Sequence, residues 1–169
     1  IWSEDEIASQ DDLENLKIRT FDRNGTETFR NVGASPVSLS WADVVPQLAT
    51  GGIEAVLTSA EAGANASFWE HQNYFAGVQY AIPLNMVHMN RAAFESLTDA
   101  QQEAVMEAAS QTDQHNWEAV ETRTEENYQT LGEHDVVISD PVSDELLTPL
   151  KEAASSVVES WLEKTGDDG

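Results

Sequence analysis

The sequence predicts an α/β fold with parallel strands, and two observations support this class. Between residues 17 and 71, short runs of branched and aromatic residues alternate with segments that carry helix-capping signals. A β-α-β-α-β order of this kind favours parallel strands joined by right-handed crossovers. The chain also contains 40% hydrophobic residues, including five Trp and five Phe among 169 residues, which is enough to form a core.

The elements of the first half follow from local signals. The sequence SQDD at 9–12 is a capping-box pattern that opens a short helical turn. The predicted strands, rich in branched and apolar residues, are 17–21, 36–40 and 53–59. The predicted helices are 24–34, which stops at Gly33, 41–52, which Ser40 and Asp43 cap, and 60–71. Pro46 is expected to kink the second of these helices.

The second half contains longer elements. Residues 74–90 are apolar and lack helix caps, so they predict two strands divided by Pro83. A short helix at 91–97 follows, and then a long helix from Thr98 to 134, with Gln101 completing a capping box. A last strand is predicted at 135–139 and a last amphipathic helix at 143–165. The long helix has one mainly apolar stripe: Val105, Ala109, Trp117, Val120, Thr124, Tyr128 and Leu131.

The net charge excludes two classes of partner. Eight Lys and Arg stand against 31 Asp and Glu, which gives −23 at pH 7. Nucleic acids and anionic membrane surfaces both attract clustered cations, so neither is expected to bind this chain. No apolar run approaches the ~18 residues of a membrane span, so we do not expect the chain to be embedded in a membrane. An acidic surface suits a salty medium, because salt screens its self-repulsion.

Catalytic and metal-binding signatures are missing from the sequence. No nucleophile elbow, phosphate-binding loop, zinc-protease motif or dinucleotide fingerprint occurs. The four histidines are not at metal-ligand spacing, and there is no cysteine. We therefore predict that the chain is not an enzyme and holds no metal or cofactor.

Residues 15–30 hold half of the cations in the chain, namely Lys17, Arg19, Arg23 and Arg30. In the predicted strand 17–21, Arg19 lies near the carboxyl end, where parallel sheets bind ligands. Its planar fork matches a carboxylate in bidentate fashion. An arginine on a wet sheet surface is the alternative interpretation. In so acidic a protein, however, an anionic ligand needs local positive charge, so we interpret the segment as an anion-receiving patch.

Three further side chains follow the carboxyl ends of the next two predicted strands. Trp41, after the second strand, either packs into the core or forms one wall of a pocket. Thr58 and Ser59, at the end of the third strand, either offer hydroxyl groups to a ligand or cap the following helix. Because the carboxyl ends of parallel strands meet at one edge of a sheet, we expect these residues to lie near Arg19.

The run DDLENLKIRTFD, followed by NVGASPVSLSWADVVPQLATGGIEAVLTS, resembles the solute-binding proteins of tripartite ATP-independent periplasmic (TRAP) transporters. Several spaced motifs occur in the family's order: the Lys-Ile-Arg strand, the Gly-Ala-x-Pro turn, the helix opening at Trp41 and the strand end at 53–59. The later long helix and the closing helix with its Trp also fit. The resemblance extends over nearly the whole chain.

This resemblance implies a two-lobed α/β fold of the periplasmic binding protein type, with hinge strands and a long bracing helix. It implies that 1–84 form most of the second lobe, that 85–125 return to the first lobe, and that 126–169 brace both. The first lobe would then be largely missing from this chain. A removed signal peptide and a periplasmic location are implied as well.

Four residues take their predicted roles from their matching positions in the family. Arg19 resembles the family's carboxylate-clamping arginine, and Trp41 an aromatic residue that lines the cleft. Asp22 and Thr58 stand where the family often has Asn. The charge of Asp22 favours a ligand that carries a hydroxyl or amino group beside its carboxylate. The hydroxyl group of Thr58 in place of an amide implies that the polar end of the ligand differs from that of sialic acid.

Three more residues complete the predicted ligand site: Phe68 and Trp69 as an apolar wall, and Asn85 near the hinge crossing. The implied partners are a small organic acid and the membrane permease subunits of the transporter. Two alternatives stay open. One is an acidic protein-interaction module without a small ligand, and the other is an enzyme on a similar α/β scaffold.

Overall fold

The computed structural model describes residues 1–166, with only the main chain at Glu121. The chain forms two compact units. The first comprises Ile1–Val78 and the chain from Asn127 onward, and the second is Gln79–Glu126. Their assignment to the lobes of a larger protein stays a prediction, and residues 167–169 of the predicted bracing segment lie outside the described residues.

The first unit contains one six-stranded mixed sheet. Its strands are β1 (Trp2–Ser3), β2 (Ile18–Thr20), β3 (Val37–Ser38), β4 (Ala55–Val56), β5 (Tyr74–Ala76) and β6 (Val137–Ser139). They lie in the order β3-β2-β4-β1-β5-β6. β2 pairs in parallel with both β3 and β4, and β5 pairs in parallel with β6, which confirms the predicted parallel strands. The sequence analysis missed β1, which is antiparallel to both of its neighbours.

The helices α1 (Arg23–Asn31), α2 (Trp41–Ala49), α3 (Ala60–Asn65) and α6 (Asp144–Thr165) belong to the first unit. Side-chain caps define three of their starts: Asp22 accepts a hydrogen bond from the main chain of α1, Ser59 from α3 and Ser143 from α6. Gly33, just beyond α1, has a φ of +94°, which a side chain disfavours, so the predicted stop is confirmed. The helix predicted over 60–71 is shorter, and a separate 3-10 turn follows it at Phe68–Glu70.

Trp2 lies at the centre of the core of the first unit. Its indole is fully buried and makes edge contacts with the rings of Phe68 and Phe75, at centroid distances of 5.6 and 5.2 Å. The indole N–H donates to the carbonyl oxygen of Ser59 at 3.0 Å. A Cβ at Gly63 would stand 2.2 Å from the same indole, so α3 approaches Trp2 only because residue 63 is glycine.

The second unit is helical. It contains α4 (Arg91–Glu95) and most of α5 (Asp99–Glu133), and Thr98 and Gln101 form the predicted capping box of α5. The second strand predicted within 74–90 is wrong, because residues 77–90 form neither helix nor strand. Among the described side chains of 79–126, none is buried. Within the described residues, no helix has the length and apolar character to cross a membrane.

Candidate functional site

Arg19 lies in β2, between the two strands that flank it in parallel. Its Nε and one terminal nitrogen donate to the carbonyl oxygen of Leu39, which follows β3, both at 3.3 Å. Its other terminal nitrogen donates to the carbonyl oxygen of Leu57, which follows β4, at 3.5 Å. The guanidinium is therefore held at the carboxyl edge of the sheet, where the sequence predicted a ligand site.

The charge of this guanidinium is not neutralised by the groups that hold it. Arg19 is only 6% exposed, and its three hydrogen bonds are long and go to neutral carbonyl groups. Within the described residues, no carboxylate forms an ion pair with it. Three of its five N–H groups are used, which leaves two for another acceptor. Burial lowers the pKa of Arg19 below its ordinary value, and a bound carboxylate would oppose that effect.

Two aromatic rings flank the guanidinium. The ring of Trp41 lies 5.5 Å from the guanidinium carbon of Arg19, and the ring of Phe21 lies 5.8 Å from it. Both distances fall within the range of cation–π contact. The indole of Trp41 is 45% exposed and rests 5.7 Å from the buried ring of Phe68. Part of the Trp41 indole therefore packs on the core and another part faces outward, and its role as a wall of a ligand pocket stays a prediction.

Phe21 lies beside Arg19, and the sequence analysis missed it as a candidate residue. It directly follows β2, two residues after Arg19, and is 48% exposed. Side chains two residues apart on an extended strand point to the same side, so an aromatic residue at this spacing from a candidate arginine was the available signal. An aromatic residue in a strand is typical of core packing, and this made the signal easy to overlook.

The predicted polar residues lie close in sequence to this edge. Asp22 accepts a hydrogen bond from the main-chain N–H of Gly25 at 2.7 Å and thereby caps α1. Ser59 accepts one from Ala62 at 3.0 Å and caps α3. Thr58 is half-buried directly before it. Asp22 and Ser59 thus have a structural role, and contact of these three residues with a ligand stays a prediction.

The three remaining predicted residues have other surroundings in the structure. Phe68 is fully buried and supports Trp41 from the core side. Trp69 stacks on the imidazole of His134, with 3.8 Å between ring centroids and 3° between planes. Asn85 is exposed in the second unit. A role for each of them in ligand binding stays a prediction.

The other cations of segment 15–30 do not share the position of Arg19. Arg23 pairs with Glu27 on α1 at 2.7 Å, and both Lys17 and Arg30 are exposed. The prediction of an anion-receiving patch therefore depends on one buried guanidinium. The amino-terminal ends of α1 and α2 follow β2 and β3 directly, and their partial positive charge lies on the same edge.

A cavity of about 350 Å³ opens elsewhere on the first unit. Its lining residues are Gln10, Asp11, Glu14, Asn31, Val32 and Gly33. Two carboxylates and no cation line this cavity, so it does not favour an anion. The surroundings of Arg19 have the opposite character, because a buried guanidinium with two N–H groups to spare can accept a small anion there.

Comparisons with known proteins identify the family of this chain. The sequence model of the family described as "Bacterial extracellular solute-binding protein, family 7" (DctP) matches residues 2–165. The chain belongs to this family, which confirms the predicted resemblance to TRAP solute-binding proteins. The family consists of binding proteins rather than enzymes.

One curated relative is the ectoine-binding periplasmic protein TeaA of Halomonas elongata. The two sequences are 29% identical over an alignment of 180 residues, which covers 100% of this chain and 50% of TeaA. Another is the 2,3-diketo-L-gulonate-binding periplasmic protein YiaO of Escherichia coli, 28% identical over 106 residues, or 62% of this chain and 32% of YiaO. The chain spans about half the length of TeaA, the curated relative that it matches from end to end.

Solved structures confirm the predicted α/β fold. The crystal structure of DctP6, a Bordetella pertussis extracytoplasmic solute receptor binding pyroglutamic acid, matches with a TM-score of 0.89 and 26% identity. The match covers 99% of this chain and 55% of that chain. The ectoine-binding protein of the TeaABC TRAP transporter of Halomonas elongata matches with a TM-score of 0.81 and 25% identity, over the same shares of the two chains.

Proposed function

We propose that this chain is part of an extracytoplasmic solute receptor of a TRAP transporter, which captures an organic carboxylate and delivers it to the membrane permease subunits. The complete protein would be periplasmic, as its relatives TeaA and YiaO are by name. Arg19 would bind the carboxylate, with Trp41 beside it and Asp22, Thr58 and Ser59 near the same edge. Phe68, Trp69 and Asn85 would contribute from positions around this edge or from the second unit.

The state of Arg19 is the observation that carries this proposal. A guanidinium that is 6% exposed, has two N–H groups to spare and lacks a counter-ion among the described residues is unfavourable unless an anion completes it. A hydrogen bond to a charged group contributes about 1.5–3 kcal/mol net, and a bidentate carboxylate makes two such bonds. The structural elements of the first unit thus hold a binding group that is already desolvated and oriented.

The ligands named for the relatives support a carboxylate. Ectoine, pyroglutamic acid, β-D-glucuronate and (S)-2-acetolactate are named for TeaA and for three structural neighbours. All four molecules carry a carboxylate, although the rest of each molecule differs. The buried Arg19 would be the group that recognises this common carboxylate.

Closure of two lobes around the ligand would couple binding to transport. Because Arg19 is already buried against Leu39 and Leu57, most of the cost of desolvating it arises on folding and not on closure. The ligand would favour the closed state by contacting groups from both lobes at once, and the permease would recognise that state. We propose that Gln79–Glu126 belongs to the first lobe and that the part of the complete protein outside this chain covers its exposed apolar side chains.

We also propose that no bond is made or broken at this site. The named relatives are binding proteins, and among the described residues the groups around Arg19 are aromatic rings, carbonyls and capping side chains. An enzyme on the same scaffold would have to act on the ligand, so prolonged incubation with a bound carboxylate should give no new product by mass spectrometry. An interaction module without a small ligand would show no rise in melting temperature with any organic acid.

Calorimetry of arginine variants in the complete protein tests the proposal. Arg19→Ala should weaken carboxylate binding by about tenfold or more, because the charge-assisted hydrogen bonds are lost. Arg19→Lys should weaken carboxylate binding nearly as much, since an ammonium group cannot form the planar fork. Arg23→Ala is the matched control, because it removes an exposed arginine of the same segment and should leave the affinity within about twofold.

The result that contradicts the proposal is equally specific. Unchanged affinity in both Arg19 variants would mean that the ligand binds elsewhere. A loss of affinity in Arg23→Ala as large as in Arg19→Ala would mean that overall charge, rather than the buried fork, attracts the ligand.

A further inference from the structure

We propose that Phe21, together with Trp41, selects carboxylates with a compact and mainly apolar ring next to the carboxyl group and disfavours polyhydroxylated sugar acids. This inference rests on the proposed function, because it concerns the ligand that Arg19 would bind. It adds the class of ligand, and it assigns a specificity role to a residue that neither the sequence analysis nor the comparisons singled out.

The position of Phe21 places an apolar surface beside the carboxylate site. Its ring lies 5.8 Å from the guanidinium carbon of Arg19, and that of Trp41 lies 5.5 Å from it. Phe21 and Trp41 are 48% and 45% exposed, so about half of each side chain is open to solvent. A carboxylate that reaches the two remaining N–H groups of Arg19 brings its first few carbon atoms near these surfaces.

One of the two surfaces is preformed. Trp41 is the first residue of α2, and the centroid of its indole lies 5.7 Å from that of the fully buried ring of Phe68. Phe68 in turn contacts Trp2 at the centre of the core, so the support for Trp41 is continuous with the core. A ligand that buries apolar surface here does not have to order the indole first, which lowers the cost of binding.

Hydroxyl groups are poorly matched to this edge. A sugar ring can lay a C–H face on an aromatic side chain, but each of its hydroxyl groups that leaves water needs a hydrogen-bond partner, and an aromatic ring supplies none. Few polar side chains lie near this edge: Asp22 and Ser59 already cap α1 and α3, and together with Thr58 they can serve one or two hydroxyl groups but not the several of a sugar acid. The apolar carbon atoms of a small ring instead gain by leaving water at the same place.

Membership of the family does not decide between these two ligand classes. Relatives and structural neighbours of this chain are named for ectoine and pyroglutamic acid, and others for glucuronate, galacturonate and 2,3-diketo-L-gulonate. The choice must therefore come from the side chains around the common carboxylate site. In this chain, Phe21 and Trp41 are the candidates whose exposed surface the structure places there.

The experiment compares two ligand classes on three versions of the complete protein, by isothermal titration calorimetry. The ring probes are pyroglutamate and ectoine, and the sugar-acid probes are D-glucuronate and D-galacturonate. The proteins are the wild type, Phe21→Leu, which keeps apolar bulk without a ring face, and Phe21→Tyr, which keeps the ring. Trp161→Leu, in α6, is the control for loss of an aromatic side chain of similar exposure.

We expect the wild type to bind at least one ring probe about tenfold or more tightly than either sugar acid. Phe21→Leu should weaken that ring probe by about fivefold and change sugar-acid binding by less than about twofold. Phe21→Tyr and Trp161→Leu should stay within about twofold of the wild type for the ring probe.

Three results would overturn the inference. Tighter binding of a sugar acid by the wild type would do so while leaving the proposed carboxylate function intact. An equal loss for both ligand classes in Phe21→Leu would reduce Phe21 to a residue that only positions Arg19. If none of the four carboxylates raises the melting temperature, the inference is wrong, and the proposed function loses its support from these ligands as well.

Discussion

The two compact units treat their apolar side chains in opposite ways. In the first unit, Trp2, Phe29 and Phe68 are essentially inaccessible to solvent. In the second unit, no described large apolar side chain is buried: Phe94 and Leu97 are half-buried, and those that are exposed are Ile82, Leu84, Met86, Val87, Met89, Val105, Met106, Trp117 and Val120. The same kind of residue is thus core in one region and surface in the other. The difference shows that an apolar residue type does not by itself decide burial, and we propose that the rest of the complete protein covers the exposed side chains of the second unit.

Replacing Trp2 should give the largest effect, and it tests whether the buried apolar side chains of the first unit form its core. Trp2→Ala removes a fully buried indole that contacts Phe68 and Phe75, and it also leaves the carbonyl of Ser59 without its donor. We expect the free energy of unfolding to fall by about 3–5 kcal/mol. Urea denaturation of the complete protein measures this change, and a loss below about 1 kcal/mol would mean that Trp2 is not central to the core.

Trp117→Ala tests the exposed apolar side chains of the second unit. The side chain is 59% exposed in this chain, so its removal would be expected to cost less than about 0.5 kcal/mol if the surface stayed open. If the rest of the complete protein covers this surface, as we propose, the cost should instead be about 2–4 kcal/mol.

Urea denaturation of the complete protein separates the two values for Trp117. The matched control is Asp113→Ala, one turn earlier on the same helix, which should stay within about 0.5 kcal/mol of the wild type. A negligible effect of Trp117→Ala would contradict our assignment of Gln79–Glu126 to a first lobe that is completed by residues outside this chain.

The sequence predicted the elements whose signals are local. The order of β2, α1, β3, α2 and β4 follows from branched runs and caps, and each of these elements formed within a few residues of its predicted place. The pairing of β1 was missed, because a two-residue strand has almost no periodicity and its partners Val56 and Phe75 are distant in sequence. The predicted strand after Pro83 did not form: residues 77–90 are neither helix nor strand and take no part in the sheet of the first unit.

The site was predictable only in part for a related reason. Arg19 and Trp41 could be found because both follow from their places at strand ends. Burial cannot be predicted from residue type, so the sequence did not indicate that Phe68 packs beneath Trp41, and contact of Phe68 with a ligand stays a prediction. Phe21 was missed because an aromatic residue in a strand is typical of core packing, although its spacing from Arg19 indicated that both side chains lie on one side of the strand. The stacking of Trp69 on His134 joins residues that are far apart in sequence, and no local signal predicts such a pair.

A smaller effect tests the end of α5 that belongs to the first unit. The Tyr128 hydroxyl donates to the carboxylate of Asp140 at 2.6 Å, and burial together with this carboxylate raises the pKa of Tyr128 above its ordinary value. The folded state therefore holds the phenol proton more tightly than the unfolded chain does. Stability should fall as the pH rises above about 10, where the unfolded chain releases that proton.

Tyr128→Phe should remove this alkaline loss, at a cost of about 0.5–1.5 kcal/mol at neutral pH for the missing hydrogen bond. The melting temperature of wild type and variant, followed from pH 8 to pH 11, measures both effects. Tyr74→Phe, which leaves Tyr128 in place, is the control and should retain the loss. An identical pH profile for the wild type and Tyr128→Phe would show that Tyr128 does not titrate differently in the folded state.

The most direct measurement is a crystal structure of the complete protein with a bound organic acid. We predict that both carboxylate oxygens lie about 2.8 Å from nitrogen atoms of Arg19, beside Leu39, Leu57 and Trp41 at the carboxyl edge of the sheet. A ligand whose carboxylate is held by other cations, with Arg19 still bonded only to the two carbonyl groups, would contradict the account.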